Sequence, residues 1–389
     1  MSLPAQIEID LRPPKIAIIG SGIIGATIAH RLSKSDMEIT LFEKDARPNG
    51  ASVRNFGLIW ISGRRGGEEL RLALESRKIW SEVSSEIPGI SFSENGSLTL
   101  LTSEAEIDLA NEAINSDPSN SRRLAVITPN EVESKYKVTL VSSVKAAIEC
   151  ELDAVVDPNH AVIAILEDLS KTPNVTVRSS TQVASIAERI VKTVHGDHEE
   201  FDVVIVATGT AGIELISPYG LPENIGISTT SLAMASTHAA TFSLAPTIAD
   251  SDSLRYYPFF QPFVSKHLSD QDPLPLRHGA QLLARQLTDG TIILGDSHYY
   301  DQPTRFKVDI EIVDHFRAKL GSLLNADIPS LESVWTGSYT RTLDPIRPYV
   351  AHPVADGILY VTAAGGMGMT LSWAIADEVK SWIQARPRQ

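Results

Sequence analysis

Four short stretches of this 389-residue chain carry residues whose types and spacing suit chemistry. The first is Gly20-Ser21-Gly22-Ile23-Ile24-Gly25, which ends the apolar run Lys15 to Gly20. In that pattern Gly20 permits a tight turn, Gly22 lets backbone approach a pyrophosphate, and Gly25 lets the following helix pack close to the strand. The helix carries Ile24, Ile28 and Leu32 on one face, and its free amide hydrogens point at a diphosphate. A second apolar run delivers Glu43, at the spacing of about 20 residues where a carboxylate holds ribose hydroxyls. An acid there disfavours a 2′-phosphate. The alternative is an α/β packing turn whose glycines only avoid clashes.

The second stretch, Ala51-Ser52-Val53-Arg54-Asn55-Phe56-Gly57, follows Lys44 in the segment leaving Glu43. Ala51 and Ser52 are small enough for close approach to a cofactor, and Gly57 can adopt backbone shapes closed to other residues. Arg54 and Asn55 supply charge and hydrogen bonding. The third, Val203 to Gly209, is an apolar strand running into Ala207-Thr208-Gly209. It would extend a parallel sheet, although any buried strand before a turn looks similar. The fourth is Gly365-Gly366-Met367-Gly368-Met369-Thr370, between an apolar strand and a helix with Leu371, Ala374, Ile375, Val379 and Ile383 inside. Its helix N-terminus could face a redox ring that becomes anionic on reduction; the plain alternative is a glycine cap and packing turn.

The rest of the chain must position these stretches. Its length suggests two structural parts. The composition, 43% hydrophobic and 21% charged, fits a globular protein with a sizeable core. A net charge of −14 argues against nucleic-acid binding, though a local arginine cluster could still hold a small anion. The single cysteine, Cys150, allows no intramolecular disulfide, which suggests a reducing compartment. Residues 1–14 do not read as a signal peptide, and no apolar run approaches the roughly 20 residues that span a bilayer. A cytoplasmic location without an integral membrane segment is the expectation. No metal-ligand pattern is present.

Taken together, "GSGIIG" with Glu43, "VVDPNHAVIAIL", "VVIVATG" and "AAGGMGMTLS" resemble the D-amino-acid-oxidase family of FAD enzymes, which includes glycine oxidase and sarcosine oxidase. The resemblance covers nearly the whole chain. It implies an α/β fold, α+β overall, with a Rossmann-like FAD-binding domain and an inserted β-rich substrate domain. The FAD domain would use residues 15–83, 146–225 and 331–389, the substrate domain 84–145 and 226–330, with 1–14 a tail. It further implies that Gly20 to Gly25 hold the pyrophosphate, Glu43 the adenosine ribose and Val183 backbone the adenine. Thr208-Gly209 would lie along the cofactor, and Gly366 to Thr370 would contact the flavin.

"TGSYTRTLDPIRPYV" (Thr336 to Val350) resembles the corresponding sarcosine oxidase stretch, with three departures. Where that enzyme attaches its flavin through a cysteine stands Gly337, so non-covalent FAD is expected. Where amino-acid oxidases of the family place a carboxylate-binding arginine stands Tyr339. Where sarcosine oxidase uses a histidine and a lysine stand Met367 and Thr370. "RNFG" is also similar to a subgroup associated with phosphonate breakdown.

These features lead to a hydride taken from the carbon beside a primary or secondary amine, with an imine as product. Desolvation favours the neutral amine that such a step needs. The substrate would be of amino-acid or aminophosphonate type, with oxygen or another electron acceptor to follow. An arginine fork would hold the anionic group; Arg54, Arg64, Arg65, Arg255, Arg277 and Arg341 are the candidates, with Arg54 and Arg341 preferred. Tyr339 and Met367 complete the expected catalytic set. "RYYPFF" (Arg255 to Phe260) is either an aromatic wall or ordinary sheet packing. No lysine lies between Lys266 and Lys307 to activate oxygen, leaving His278 and His298 as substitutes or surface residues. An NAD-dependent dehydrogenase and a non-catalytic flavoprotein are the rival readings.

Overall fold

The structure, a computed structural model, describes residues 12–220, 225–301 and 307–386. The tail expected over residues 1–14 therefore lies mostly outside the described residues. Arg12, within them, pairs through both terminal nitrogens with Asp202.

The apolar runs build a six-stranded sheet in the order Val350–Ala355, Ile358–Thr362, Val203–Val206, Lys15–Ile19, Glu38–Phe42, Val175–Arg178. All neighbours are parallel except the first two, which form an antiparallel pair. The central strand is sealed on both faces, which is why it reads as an unbroken apolar run. Helices Ile23–Ser33, Glu68–Glu86 and Gly368–Gln384 pack together on one side. There the rings of Trp80 and Trp373 meet edge to face, and Trp80 Nε1 donates to Met369 O at 2.8 Å. On the other side, a three-stranded sheet of Val183–Ala187, Ile190–Thr193 and His198–Glu200 buries Val183, Ile186 and Val191 against Ile19 and Phe42.

A nine-stranded sheet holds the second core. Its strands are antiparallel except where Thr247–Ala249 runs parallel to Ser97–Leu101. Its longest pairing joins Ile227–Thr237 to Leu331–Thr342. Helix Ile310–Gly321 packs Val313 and Phe316 on one face, while Leu232, Met234 and Leu283 lie on the other with Phe56 and Trp60. Ala146–Cys150 pairs with Ser97–Leu101 and Leu124–Ile127, so this strand and Leu331–Thr342 belong to the larger sheet rather than the parallel one. Among the described residues, no helix is long and apolar enough to cross a membrane.

At the joint between the sheets the segment after Glu43 is drawn inside: Phe56, Gly57 and the run Ile59 to Arg64 are buried. Leu58–Ile59 pairs with Ala154–Val155. The wholly buried Asp153 carboxylate accepts from Ile61 N, Ser62 N and Ser97 Oγ. Arg285 donates to the carbonyls of Phe56 and Val156. These polar side chains replace the water that the loop backbone loses on burial.

Candidate active site

The glycine stretch folds as its spacing predicts. Gly20 has φ +102°, and a Cβ there would lie 2.5 Å from Ala207 O. A Cβ on Gly25 would lie 1.9 Å from Gly20 O. Neither backbone neighbour has room to yield, so only glycine fits. Gly22 precedes the first helical residue, Ile23, whose N–H donates to Ser52 Oγ at 2.9 Å. The helix dipole and its first amides therefore open beside Ser52.

Glu43 closes the other end of this turn. Its carboxylate accepts from Ser21 N at 3.1 Å, Ser21 Oγ at 2.7 Å and Asp45 N at 3.0 Å. Thr181 N donates to Glu43 O at 2.7 Å, which brings the Val183 strand alongside. Lys44 points outward to Asp45. Thr208 Oγ1 is buried without a hydrogen-bond partner among the described residues. The glycine cradle, the helix terminus and this orphaned hydroxyl fit an extended dinucleotide.

From Ile23 the surface continues into a cavity of about 550 Å³. Ala51, Ser52, Arg54 and Asn55 line one side; Gly337, Tyr339 and Arg341 come from the long strand; and Gly365 to Thr370 line the floor. The strand is fastened to the glycine turn: Ala363 N donates to Thr340 Oγ1, Thr340 Oγ1 lies 2.9 Å from Thr362 Oγ1, and Arg341 pairs with Ala364. Thr370 Oγ1 accepts from Trp60 N at 3.0 Å and donates to Leu58 O at 3.3 Å, fixing the helix start against the joint. Gly20, Ser21, Gly22, Ile24, Gly25, Glu43, Lys44, Val53, Val183, Ala207, Thr208 and Gly209 are not on the cavity wall.

Of the six candidate arginines, the cavity takes three: Arg54, Arg64 and Arg341. Arg64 is 6% exposed, lies 3.5 Å from Glu69 and packs over the Tyr257 ring. Arg341 packs over Tyr300, 3.7 Å from the exposed carboxylate of Asp301, and its Nε has no hydrogen-bond partner among the described residues. Arg54 meets two neutral oxygens, Asn49 Oδ1 at 2.8 Å and Thr336 O at 3.4 Å. Arg65 is not on the wall. Arg255 bonds Ser269 O, and Arg277 pairs with Glu311.

Asn55 lines the cavity but its amide is engaged locally, donating to Ala51 O and accepting from Gly57 N at 2.6 Å. It shapes the turn whose Gly57 has φ +72°. The "RYYPFF" segment splits: Tyr256, Tyr257 and Pro258 face the cavity, while Phe259 packs under Arg122. His278 is buried against Tyr299, away from the cavity. His298 is on the wall, stacked on Tyr256 at 4.4 Å.

Sequence reasoning missed Asp296 and Gln281, which face the cavity beside His298. Asp296 is 9% exposed, and burial pushes its carboxyl up although His298 and Gln281 favour its charged form. Burial also raises the phenols of Tyr256, Tyr257, Tyr300 and Tyr339, keeping them protonated donors at neutral pH. A polar residue following the apolar strand Ile292–Gly295 was the available sequence signal.

A parallel sheet whose first turn cradles a dinucleotide, joined to an antiparallel sheet across an apolar cavity, defines a dinucleotide-dependent oxidoreductase. Residues 15–382 match the family model "FAD dependent oxidoreductase", and the chain belongs to this DAO family; its dinucleotide is FAD. Over 100 residues the chain is 31% identical to glycine oxidase of Geobacillus kaustophilus (strain HTA426), covering 24% of this chain and 26% of that one. It is 24% identical over 176 residues to 4-methylaminobutanoate oxidase (formaldehyde-forming) of Paenarthrobacter nicotinovorans, covering 44% of this chain and 21% of that one. These matches thus span less than a third of either relative. The crystal structure of glycine oxidase from Geobacillus kaustophilus superposes with a TM-score of 0.78 at 18% identity, covering 96% of each chain. L-proline dehydrogenase from P. horikoshii superposes at 0.75 and 22% identity, over 96% of this chain and 93% of that one.

Proposed function

We propose that this chain oxidises the C–N bond of a small primary or secondary amine bearing an anionic group, giving an imine. Bound FAD supplies the hydride acceptor. Gly20 to Gly25 would hold its pyrophosphate, Glu43 the ribose, the Val183 strand the adenine and Gly365 to Thr370 the flavin ring. Residues 15–83, 146–225 and 331–389 would form the cofactor part and 84–145 and 226–330 the substrate part, although Ala146–Cys150 and Leu331–Thr342 pair within the larger sheet. Gly337 offers no thiol, and Cys150 is buried in the antiparallel sheet with Sγ on Arg122 O. Both observations support non-covalent FAD.

The observation that carries the reading is the cavity itself. It places the glycine turn, protonated tyrosines and Arg341 around one largely apolar space. Arg341 and Arg54 would fix the anion, Tyr339 would orient the substrate with its phenol, and Met367 would pack against it, setting the reacting carbon. Amino acids and aminophosphonates both meet this description. The names of glycine oxidase and 4-methylaminobutanoate oxidase support an amine substrate; "RNFG" and Tyr339 in place of an arginine support the phosphonate.

The test is anaerobic mixing of the FAD-loaded protein with 2-aminoethylphosphonate, its N-methylated form, glycine, sarcosine and D-alanine. Loss of flavin absorbance with the phosphonates supports the finer reading. Loss with D-alanine or sarcosine alone restricts the substrate to amino acids, and a flavin that no amine reduces overturns the proposal. Peroxide formed in air identifies oxygen as the acceptor; dye reduction without peroxide identifies a dehydrogenase.

A further inference from the structure

We infer that Asp296 is the cavity's ammonium-binding carboxylate and takes the proton that an amine must lose before oxidation. This rests on the function proposed above and assigns a group within the same site.

Two buried aspartates make the case by contrast. Asp153 is wholly engaged, its two oxygens accepting from Ile61 N, Ser62 N and Ser97 Oγ. Asp296 differs. Its Oδ1 is buried without a hydrogen-bond partner among the described residues, although the residue lines the cavity. A buried acceptor left unpaired costs stability unless a ligand completes it. The missing partner must be a donor, and a carboxylate is matched best by a cation.

The neighbours define which donor fits. His298 Nδ1 lies 2.9 Å from Gly279 O, a carbonyl that can only accept, so this nitrogen carries the proton. Its Nε2 lies 3.4 Å from Asp296 Oδ2, and stacking on Tyr256 holds the ring. His298 and Gln281 are thus the polar side chains beside Asp296, and Oδ1 is the carboxylate oxygen that neither one satisfies. The remaining titratable groups around Asp296 are Tyr256, Tyr257, Tyr300 and Tyr339, all held protonated by burial. Arg341, packed on Tyr300, lines the same cavity with its guanidinium, whose Nε has no hydrogen-bond partner among the described residues. One carboxylate and one guanidinium, each with an atom that has no hydrogen-bond partner among the described residues and each on a residue lining one cavity, are the complement of a zwitterion.

The proton step balances simply. The ammonium N–H bond breaks, its electron pair stays on nitrogen, and the proton forms an O–H bond at Asp296 Oδ1. The products are a neutral amine and a neutral carboxylic acid. Burial, which raises the carboxyl, makes Asp296 a stronger base than an exposed aspartate.

The test uses the FAD-loaded protein and 2-aminoisobutyrate, which has no α-hydrogen to lose, read by perturbation of the flavin spectrum. Wild type should bind it with little change in Kd from pH 6 to 8. Asp296→Asn should bind more than tenfold more weakly at pH 7, recovering about tenfold per pH unit toward the amine's own pKa, since only the neutral amine would then fit. Anaerobic reduction by whichever amine bleaches wild type should follow the same profile. A second measurement needs no variant: wild type should bind 2-aminoisobutyrate more than tenfold tighter than 2-hydroxyisobutyrate. Equal binding of the two overturns the inference, as does an Asp296→Asn profile parallel to wild type, and either leaves the proposed function standing. A wild-type flavin that no amine perturbs or reduces overturns both.

Discussion

The glycine turn between Gly20 and Gly25, with Glu43, and the cavity are built on opposite principles. At the first, shape is fixed by backbone: Gly20, Gly22 and Gly25 admit no Cβ without crowding, and Glu43 is bonded on both oxygens. At the second, side chains from distant segments converge, and several atoms have no hydrogen-bond partner among the described residues: Asp296 Oδ1, Arg341 Nε, Arg64 Nε, Gln281 Oε1 and Trp60 Nε1. The difference teaches where ligand energy enters. The turn, where Thr208 Oγ1 is the orphaned side-chain atom named above, selects its ligand chiefly by steric fit and helix dipole. An unsatisfied cavity selects by completing bonds the protein lacks, at a standing cost in stability.

The sharpest way to break this contrast is at Gly25. A valine there drives Cβ into Gly20 O, and backbone must move. Gly25→Val should cost about 3 kcal/mol or more, and the protein should be isolated without flavin. Absorbance per mole of protein and urea denaturation read both. Gly50→Ala is the control, since a Cβ there meets nothing within 4 Å. Full flavin in Gly25→Val would mean the turn is not the cradle.

At the cavity, Arg341→Ala should leave flavin content intact and weaken the anionic substrate. Loss of a partly buried charge-assisted contact is worth about 2–3 kcal/mol, which is roughly a 30- to 150-fold rise in Kd. Arg341→Lys should recover only part, because a single ammonium cannot reproduce the fork. Titration with 2-aminoisobutyrate measures each step. An equal loss in Arg64→Ala, but none in Arg341→Ala, would move the anion to the arginine already paired with Glu69.

The same contrast explains what the sequence made legible. Gly20 to Gly25 and Glu43 act within one βαβ unit, where spacing along the chain is spacing in space. The cavity draws wall residues from the segments 51–60, 256–258, 281–300, 337–341 and 365–370, brought together by pairings between strands far apart in sequence. Arg54 was a candidate because its segment follows Glu43, and Tyr339 and Arg341 because their stretch resembles the corresponding sarcosine oxidase segment. Asp296 was not, since an aspartate after a strand is ordinary until its neighbours are known. Nor was the burial of Ile59 to Arg64, which depends on Asp153 and Arg285 from other segments.

Asp296 also makes a prediction about pH and stability. Its carboxyl is raised in the folded protein, so the native state holds that proton more tightly than the unfolded chain. Stability from this group is present at low pH and is lost as pH rises from the ordinary carboxylate range through the raised value; above that the penalty stays. Asp296→Asn removes the charge without changing shape. At pH 8 the variant should be more stable than wild type by about 1–2 kcal/mol, while at pH 4 the two should approach each other. Thermal unfolding of the FAD-free proteins at both pH values checks this. A variant less stable than wild type at pH 8 would make Asp296 a structural residue like Asp153.

The smallest effect is expected where the two ends meet. Ser52 Oγ accepts the first helical N–H, Ile23, from a loop that also leads to Arg54. Its bond resembles an N-cap made from a distance, and such caps contribute about 1 kcal/mol. Ser52→Ala should therefore lower FAD-free stability by about that amount. FAD retention should weaken by no more than about fivefold, because glycine geometry and helix dipole remain. Titrating FAD into the variant decides between two designs. A loss as complete as that in Gly25→Val would show that this hydroxyl, not the backbone, holds the cofactor, and the distinction between a backbone-built end and a side-chain-built end would collapse.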